Sequence, residues 1–142
     1  MSGLPSRGRR LWITAFAAGL LPGLVRAGPP APGLRTAERR WLERSAELAG
    51  EAQRHAVATD FRREIEAHRE ELRAIVRNDG EKTPASVQQL HRTMILVNAL
   101  LHAAAECHQG GRLVCPADLM RELVGQVGQG FAQLDAIEKA AG

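Results

Sequence analysis

Cys107 and Cys115 are the most reactive side chains of this sequence, and their spacing predicts a covalent bond. Seven residues separate them, among them Gly110-Gly111, which indicates that a helix closes there and a turn follows. Two cysteines on either side of such a turn predict a disulfide in an oxidising compartment. A loop of this size would stabilise the fold by about 2–3 kcal/mol. A metal-thiolate or redox pair is the alternative, but the C-x-x-C spacing of those sites is missing.

The histidines offer a second kind of chemistry, a transition-metal site. His102 and Glu106 are four residues apart in a helical stretch, so an imidazole and a carboxylate would share one helix face. Two ligands do not hold a metal tightly, and others would have to come from a neighbouring helix. His91 shares that face but lies eleven residues from His102, about 16 Å along a helix and too far for one ion. We expect this face of the helix to be solvated, with His102 pointing into water.

Catalytic motifs are sparse. Beyond residue 27 the serines are Ser45 and Ser86, neither of which lies in a nucleophile motif, and the chain contains no tyrosine. His68 falls within an apolar stripe, which predicts a hydrogen-bonded core histidine. These observations argue against an enzyme. We expect no cofactor, and the alternative is a transition metal or haem held by His and Met side chains.

The first 27 residues predict the compartment in which the protein works. Three arginines within residues 1–10 precede an uncharged, mostly apolar stretch over 11–25, an order typical of a secretory signal peptide cleaved before Gly28. The stretch is shorter than the roughly 20 residues that span a bilayer, so no membrane anchor is expected after cleavage. Arginine-rich, lysine-poor composition favours a bacterial periplasm, or secretion otherwise. A mitochondrial presequence would spread its arginines along the segment and is disfavoured.

The charge of the chain depends on this leader. The formal net charge is +3, but four of the 19 basic residues precede Gly28 whereas all 16 acidic residues follow it, which leaves −1. The aromatic residues after the leader are Trp41, Phe61 and Phe131, too few to provide stacking platforms for bases. Nucleic-acid binding is therefore not expected, and a partner protein is.

The remaining sequence predicts an all-α fold. Residues 28–35 form a Pro/Gly-rich spacer, and 36–142 form a single domain without period-two alternation. Thr83-Pro84 predicts a helix start with Thr83 as the cap, and Thr59 or Asp60 would cap an earlier helix. The predicted helices cover 36–57, 60–78, 84–109 and 116–139. The architecture is a small up-and-down bundle of four helices, or of three if 36–78 is one long helix.

Apolar stripes at helical spacing predict that each helix buries one face. In the last helix Gly130 falls within the stripe, whereas Gly125 and Gly128 fall outside it. The sequence thus predicts an exported helical-bundle protein that acts by binding, as an accessory protein offering a helical face to a partner protein. The alternative is a bundle that binds a transition metal or haem, and an enzyme ranks last.

Overall fold

The computed structural model describes residues 35–141, so the predicted signal peptide and nearly all of the spacer lie outside the described residues. Four helices follow one another: α1 (Thr36–Gln53), α2 (Ala58–Val76), α3 (Ala85–Ala105) and α4 (Ala117–Ala141). Each packs against the next, and α4 returns to α1, which is the up-and-down arrangement. The all-α prediction is confirmed in its four-helix form. Among residues 35–141 no helix is both long and apolar enough to cross a membrane.

The break between α1 and α2 comes earlier than predicted. His55 adopts a φ of +61°, which turns the chain, and its Nδ1 lies 2.9 Å from the carbonyl oxygen of Leu113. Neither Thr59 nor Asp60 caps α2, because the helix already begins at Ala58. The amide of Ala58 donates instead to the carbonyl of Gly111 at 2.8 Å. A tertiary contact thus replaces the side-chain cap that the sequence predicts.

The end of α3 also differs from the prediction. The helix stops at Ala105, and a hairpin of two short strands follows, β1 (His108–Gln109) and β2 (Arg112–Leu113). Gly110 and Gly111 have φ values of +57° and +81°, the left-handed conformation that a two-residue hairpin turn needs at both positions. The glycine pair therefore forms this turn and does not cap a helix. The amide of Leu113 donates to the carbonyl of Ala56 at 2.9 Å, so the hairpin closes this end of the bundle.

The opposite end of the bundle is closed by the loop between α2 and α3. Thr83 does not cap α3, because its hydroxyl oxygen accepts a hydrogen bond from the amide of Gly80 at 2.9 Å and Pro84 takes the cap position. The amino end of α1 and the carboxyl end of α4 meet here, where Arg39 pairs with Asp135 and Glu138 at 2.8 and 2.7 Å.

The core confirms the predicted stripes. Its largest fully buried side chains come from all four helices and from β2. They are Trp41, Leu42, Leu48, Phe61, Ile65, Val87, Leu90, Met94, Leu101, Leu113, Leu123 and Leu134. Gly130 is buried between α4 and α1, and a Cβ atom there would lie 2.8 Å from Cδ2 of Leu42. The glycine thus permits the close approach of these two helices.

The glycines of α4 give a stability test of this packing. Gly125→Ala is expected to raise the free energy of unfolding by about 0.5–1 kcal/mol, because alanine favours the helix and its Cβ meets no atom within 4 Å. Gly130→Ala is expected to lower it, because overpacking typically costs about 1–3 kcal/mol and Leu42 is fully buried. Urea denaturation of the two variants measures both effects. A Gly130→Ala protein as stable as the Gly125→Ala protein would contradict the close contact with Leu42.

Candidate functional site

The predicted metal pair is not completed by other ligands. His102 is half-buried rather than pointing into water, and its Nε2 is shielded from solvent without a hydrogen-bond partner. The expectation that His102 points into water is therefore wrong, because the surrounding protein shields this ring nitrogen. Glu106 is exposed, and its carboxylate lies 3.7 Å from Arg62. Within residues 35–141 no group of three His, Cys, Asp or Glu side chains is placed to hold a metal ion.

The two cysteines are free thiols in the structure, so the predicted disulfide is not formed there. The Cys107 thiol donates to the carbonyl of Ala103 at 3.4 Å, and the Cys115 thiol donates to that of Ala104 at 3.5 Å. Both thiols are thus turned onto the last turn of α3. Burial, together with the neighbouring Cys107, raises the pKa of Cys115 to about 11. Cys115 is therefore protonated at neutral pH and is a poor nucleophile.

His68 belongs to a polar network inside the core, as predicted. Its ring stacks on Trp41 with centroids 4.2 Å apart, and its Nε2 lies 2.7 Å from the hydroxyl oxygen of Ser45. The Ser45 hydroxyl donates to the Trp41 carbonyl at 3.0 Å, so the hydrogen between the two side chains belongs to Nε2 of His68. Burial, with the nearby Arg44 charge, lowers the pKa of His68 to about 4. The ring is neutral, and the fully buried Ser45 is out of reach of a substrate.

His91 stands at the centre of a second network, which we name the His91 cluster: Glu38, Asp79 and His91. Its Nε2 lies 2.8 Å from Glu38 of α1, and its Nδ1 lies 2.8 Å from Asp79 of the α2–α3 loop. The His91 and Glu38 side chains are only 4% and 7% exposed. The predicted solvated face is therefore wrong at His91, because α1 and the loop cover it. The cluster ties three segments together at one end of the bundle.

The electrostatics of the His91 cluster favour its charged form. Burial acts to lower the pKa of His91, but the hydrogen bonds and charges of Glu38 and Asp79 outweigh it and raise this pKa above its usual 6.5. Burial likewise acts to raise the pKa of Glu38, but the hydrogen bond and charge of His91, with Arg35, hold it below its usual 4.5. A protonated His91 thus donates to both carboxylates. With both ring nitrogens engaged, His91 joins α3 to α1 and to the α2–α3 loop.

A cleft of about 410 Å³ opens beside the His91 cluster. Arg35 and Lys82 add two positive charges to its lining, so the cleft carries both signs of charge. The sequence contained one signal for this cluster. Glu38 lies three, four and seven residues before Trp41, Leu42 and Ser45, which is the spacing of the buried face of α1.

The second concave surface lies between α2 and α3, and we name it the α2–α3 groove. It also encloses about 410 Å³, and it combines apolar side chains with three arginines spaced about one turn apart: Arg69 and Arg73 of α2, and Arg77, which directly follows α2. Its lining residues are Arg69, Leu72, Arg73, Val76, Arg77, Ile95 and Asn98. No carboxylate is among the described residues that line it.

Along this groove an apolar side chain is left exposed to water, and buried polar atoms are left without hydrogen-bond partners. Ile95 is 48% exposed. Five buried polar side-chain atoms of the described residues lack a hydrogen-bond partner: Nδ1 of His68, Nε of Arg69, Oδ1 of Asn98, Nε2 of His102 and Oε1 of Gln133. Each unpaired buried polar atom costs about 1–3 kcal/mol. Two of the five atoms belong to residues that line the α2–α3 groove, Arg69 and Asn98.

Comparison with protein-family models, with curated proteins and with solved structures finds no match for this chain. The inference of function therefore depends on the geometry and charge of the His91 cluster and the α2–α3 groove.

Proposed function

We propose that this chain is an exported accessory protein that binds a partner protein through the α2–α3 groove. The observation that carries the proposal is the combination, in the lining of one groove, of exposed Ile95, a row of arginines and two unpaired buried polar atoms, on Arg69 and Asn98. Protein interfaces combine apolar side chains with arginine, and a partner that covers the groove would remove its apolar surface from water. Unpaired buried polar atoms in a folded protein call for an explanation, and binding of a partner at this surface supplies one.

The proposal is one of binding and not of catalysis. Ser45 and His68 form the Ser–His contact of the fold, and both are buried in the core. The imidazole of His91 has both nitrogens occupied by carboxylates. Neither arrangement leaves a reactive atom facing a substrate.

Export is the second part of the proposal. The described bundle begins at Thr36, beyond the proposed cleavage point before Gly28, so removal of a leader would leave these helices intact. In an oxidising compartment such as the periplasm, the neighbouring Cys107 and Cys115 would be joined in a disulfide. That bond would tie the end of α3 to the start of α4.

A photo-crosslinking amino acid placed at Ile95 tests the interaction in the cells that make the protein. We expect a protein adduct from position 95 and none from position 129, an exposed site on α4 that serves as the control. We expect the double variant Arg73→Glu/Arg77→Glu to remove the adduct, because it reverses the charge of the groove rim. Circular dichroism checks that this variant keeps its helices.

An adduct that survives the charge reversal, or that forms equally from position 129, would contradict the proposed surface. The protein recovered in the same experiment also tests export. Amino-terminal sequencing is expected to return Gly28, and a chain that still begins at Met1 would contradict cleavage of a leader.

A further inference from the structure

We propose that the α2–α3 groove binds an acidic amphipathic α-helix of the partner protein, with apolar side chains on the groove floor and carboxylates on the arginine rim. This inference rests on the proposed function and adds the chemistry and conformation of the bound segment. It follows from the charge of the rim, the composition of the floor and the helical walls of the groove.

The charge of the rim selects an acidic segment. Arg77 forms no ion pair within residues 35–141, and Arg69 and Arg73 pair only with carboxylates of their own helix, Glu66 and Glu70, at 2.9 and 3.0 Å. Such exposed pairs between residues of one helix contribute little free energy, so a partner's carboxylates can replace them. Since the lining includes no carboxylate of its own, nothing in it repels an acidic partner.

The floor of the groove selects apolar side chains. Leu72 and Val76 of α2 face Ile95 of α3, and about half of the Ile95 side chain is left in contact with water. Covering these side chains removes apolar surface from water, which contributes about 25 cal/mol per Å². A segment that carries apolar residues on one side and carboxylates on the other meets the floor and the rim together.

The walls of the groove favour a helical segment over an extended one. Both walls are helices, and away from their ends the backbone groups are paired within α2 and α3. A β-strand segment needs a free sheet edge for its own amides and carbonyls, and two helices offer none. A helix satisfies its backbone internally and presents side chains alone. Carboxylates one turn apart on that helix match arginines that are also one turn apart.

Titration calorimetry with defined peptides tests this inference on the exported protein. The probe is an amphipathic helical peptide with a leucine stripe flanked by glutamates one turn apart. Matched peptides carry lysine in place of each glutamate, or proline substitutions that prevent a helix. We expect saturable binding of the acidic helix, weakened at least tenfold by Arg73→Glu/Arg77→Glu and weakened by added salt.

The control variant Arg40→Glu/Arg121→Glu makes the same change in net charge at exposed positions outside the groove, and we expect it to bind as the unmodified protein does. If the lysine peptide binds equally well, or if the control variant weakens peptide binding equally, the proposal of an acidic partner is wrong. Equal binding of the proline peptide would overturn the helical conformation. A dimer that dissociates on Arg73→Glu/Arg77→Glu would make a second copy of the chain the occupant instead. If the acidic peptide does not bind but crosslinks from position 95 persist, this inference alone is wrong and the proposed function stays in place.

Discussion

Replacement of His91 by leucine is expected to lower the free energy of unfolding by about 3–5 kcal/mol between pH 4.5 and 6.5, the typical loss when one partner of a buried ion pair is removed. The carboxylate of Glu38 would remain buried, with Arg35 at 3.8 Å as its remaining charged neighbour. Asp79 would lose the hydrogen bond that holds the α2–α3 loop to α3. Urea denaturation followed by circular dichroism measures the loss.

The pH dependence of stability gives this expectation a signature that packing alone would not produce. Because the pKa of His91 is raised in the folded state, its contribution is complete below 6.5 and is lost as the pH rises through the folded pKa. Because the pKa of Glu38 is lowered, its contribution is complete above 4.5 and is lost as the pH falls through its folded pKa. The His91 cluster therefore stabilises the fold most between 4.5 and 6.5.

Glu51 titrates in an overlapping range and must be separated from His91. Burial and the neighbouring Glu64 raise the pKa of Glu51 to about 7, so the contribution of Glu51 is also lost as the pH rises. The pH series is therefore measured in a Glu51→Gln background, with and without His91→Leu. We expect the decline above pH 6.5 to be present only with His91.

A double variant supplies the matched control. His91→Leu/Glu38→Leu removes both charges, and apolar replacement of a buried ion pair is often neutral, so we expect it to recover much of the lost stability. A loss below about 1 kcal/mol in the single variant would contradict the buried pair, since removal of one partner normally costs several times more. A flat profile above pH 6.5 with His91 present would contradict its raised pKa.

Truncation of Trp41 to alanine is expected to lower the free energy of unfolding by about 3–5 kcal/mol as well, the usual range for a large aromatic residue in a core. Trp41 is 1% exposed, stacks on His68 and donates from Nε1 to the His68 carbonyl at 2.8 Å. The variant would lose the stacked ring and this hydrogen bond between α1 and α2 and would leave a cavity. Circular dichroism is the measurement, because the change removes the fluorophore of the described bundle.

Trp41→Phe separates the hydrogen bond from the ring. It keeps an aromatic ring beside His68 but cannot donate, so we expect an intermediate loss of about 0.5–1.5 kcal/mol for the hydrogen bond that is removed. Equal stability of Trp41→Phe and the unmodified protein would contradict a role for the Nε1 bond. If Trp41→Ala lowers the free energy of unfolding less than Trp41→Phe does, the packing described for this part of the core is contradicted.

The sequence by itself determined the fold class and most of the core. Phe61, Ile65 and Leu72 recur at helical spacing, and burial of that stripe against other helices is the only arrangement that removes it from water. The same spacing correctly predicted that His68 is a core residue. Gly130 was correctly assigned to the buried stripe of α4. Each of these inferences uses information held within about two turns of one helix.

The tertiary structure alone decided the features that depend on distant residues. Glu38 and His91 are 53 positions apart, and no local pattern pairs them. The cap of α2 and the hairpin turn at Gly110-Gly111 depend on contacts between the α1–α2 link and residues 111–113, so local capping rules predicted them incorrectly. The α2–α3 groove likewise exists because two separately predicted helices place Arg73 and Ile95 on one surface. Local periodicity determines which face of a helix is buried, whereas the packing of the helices determines which polar residues meet.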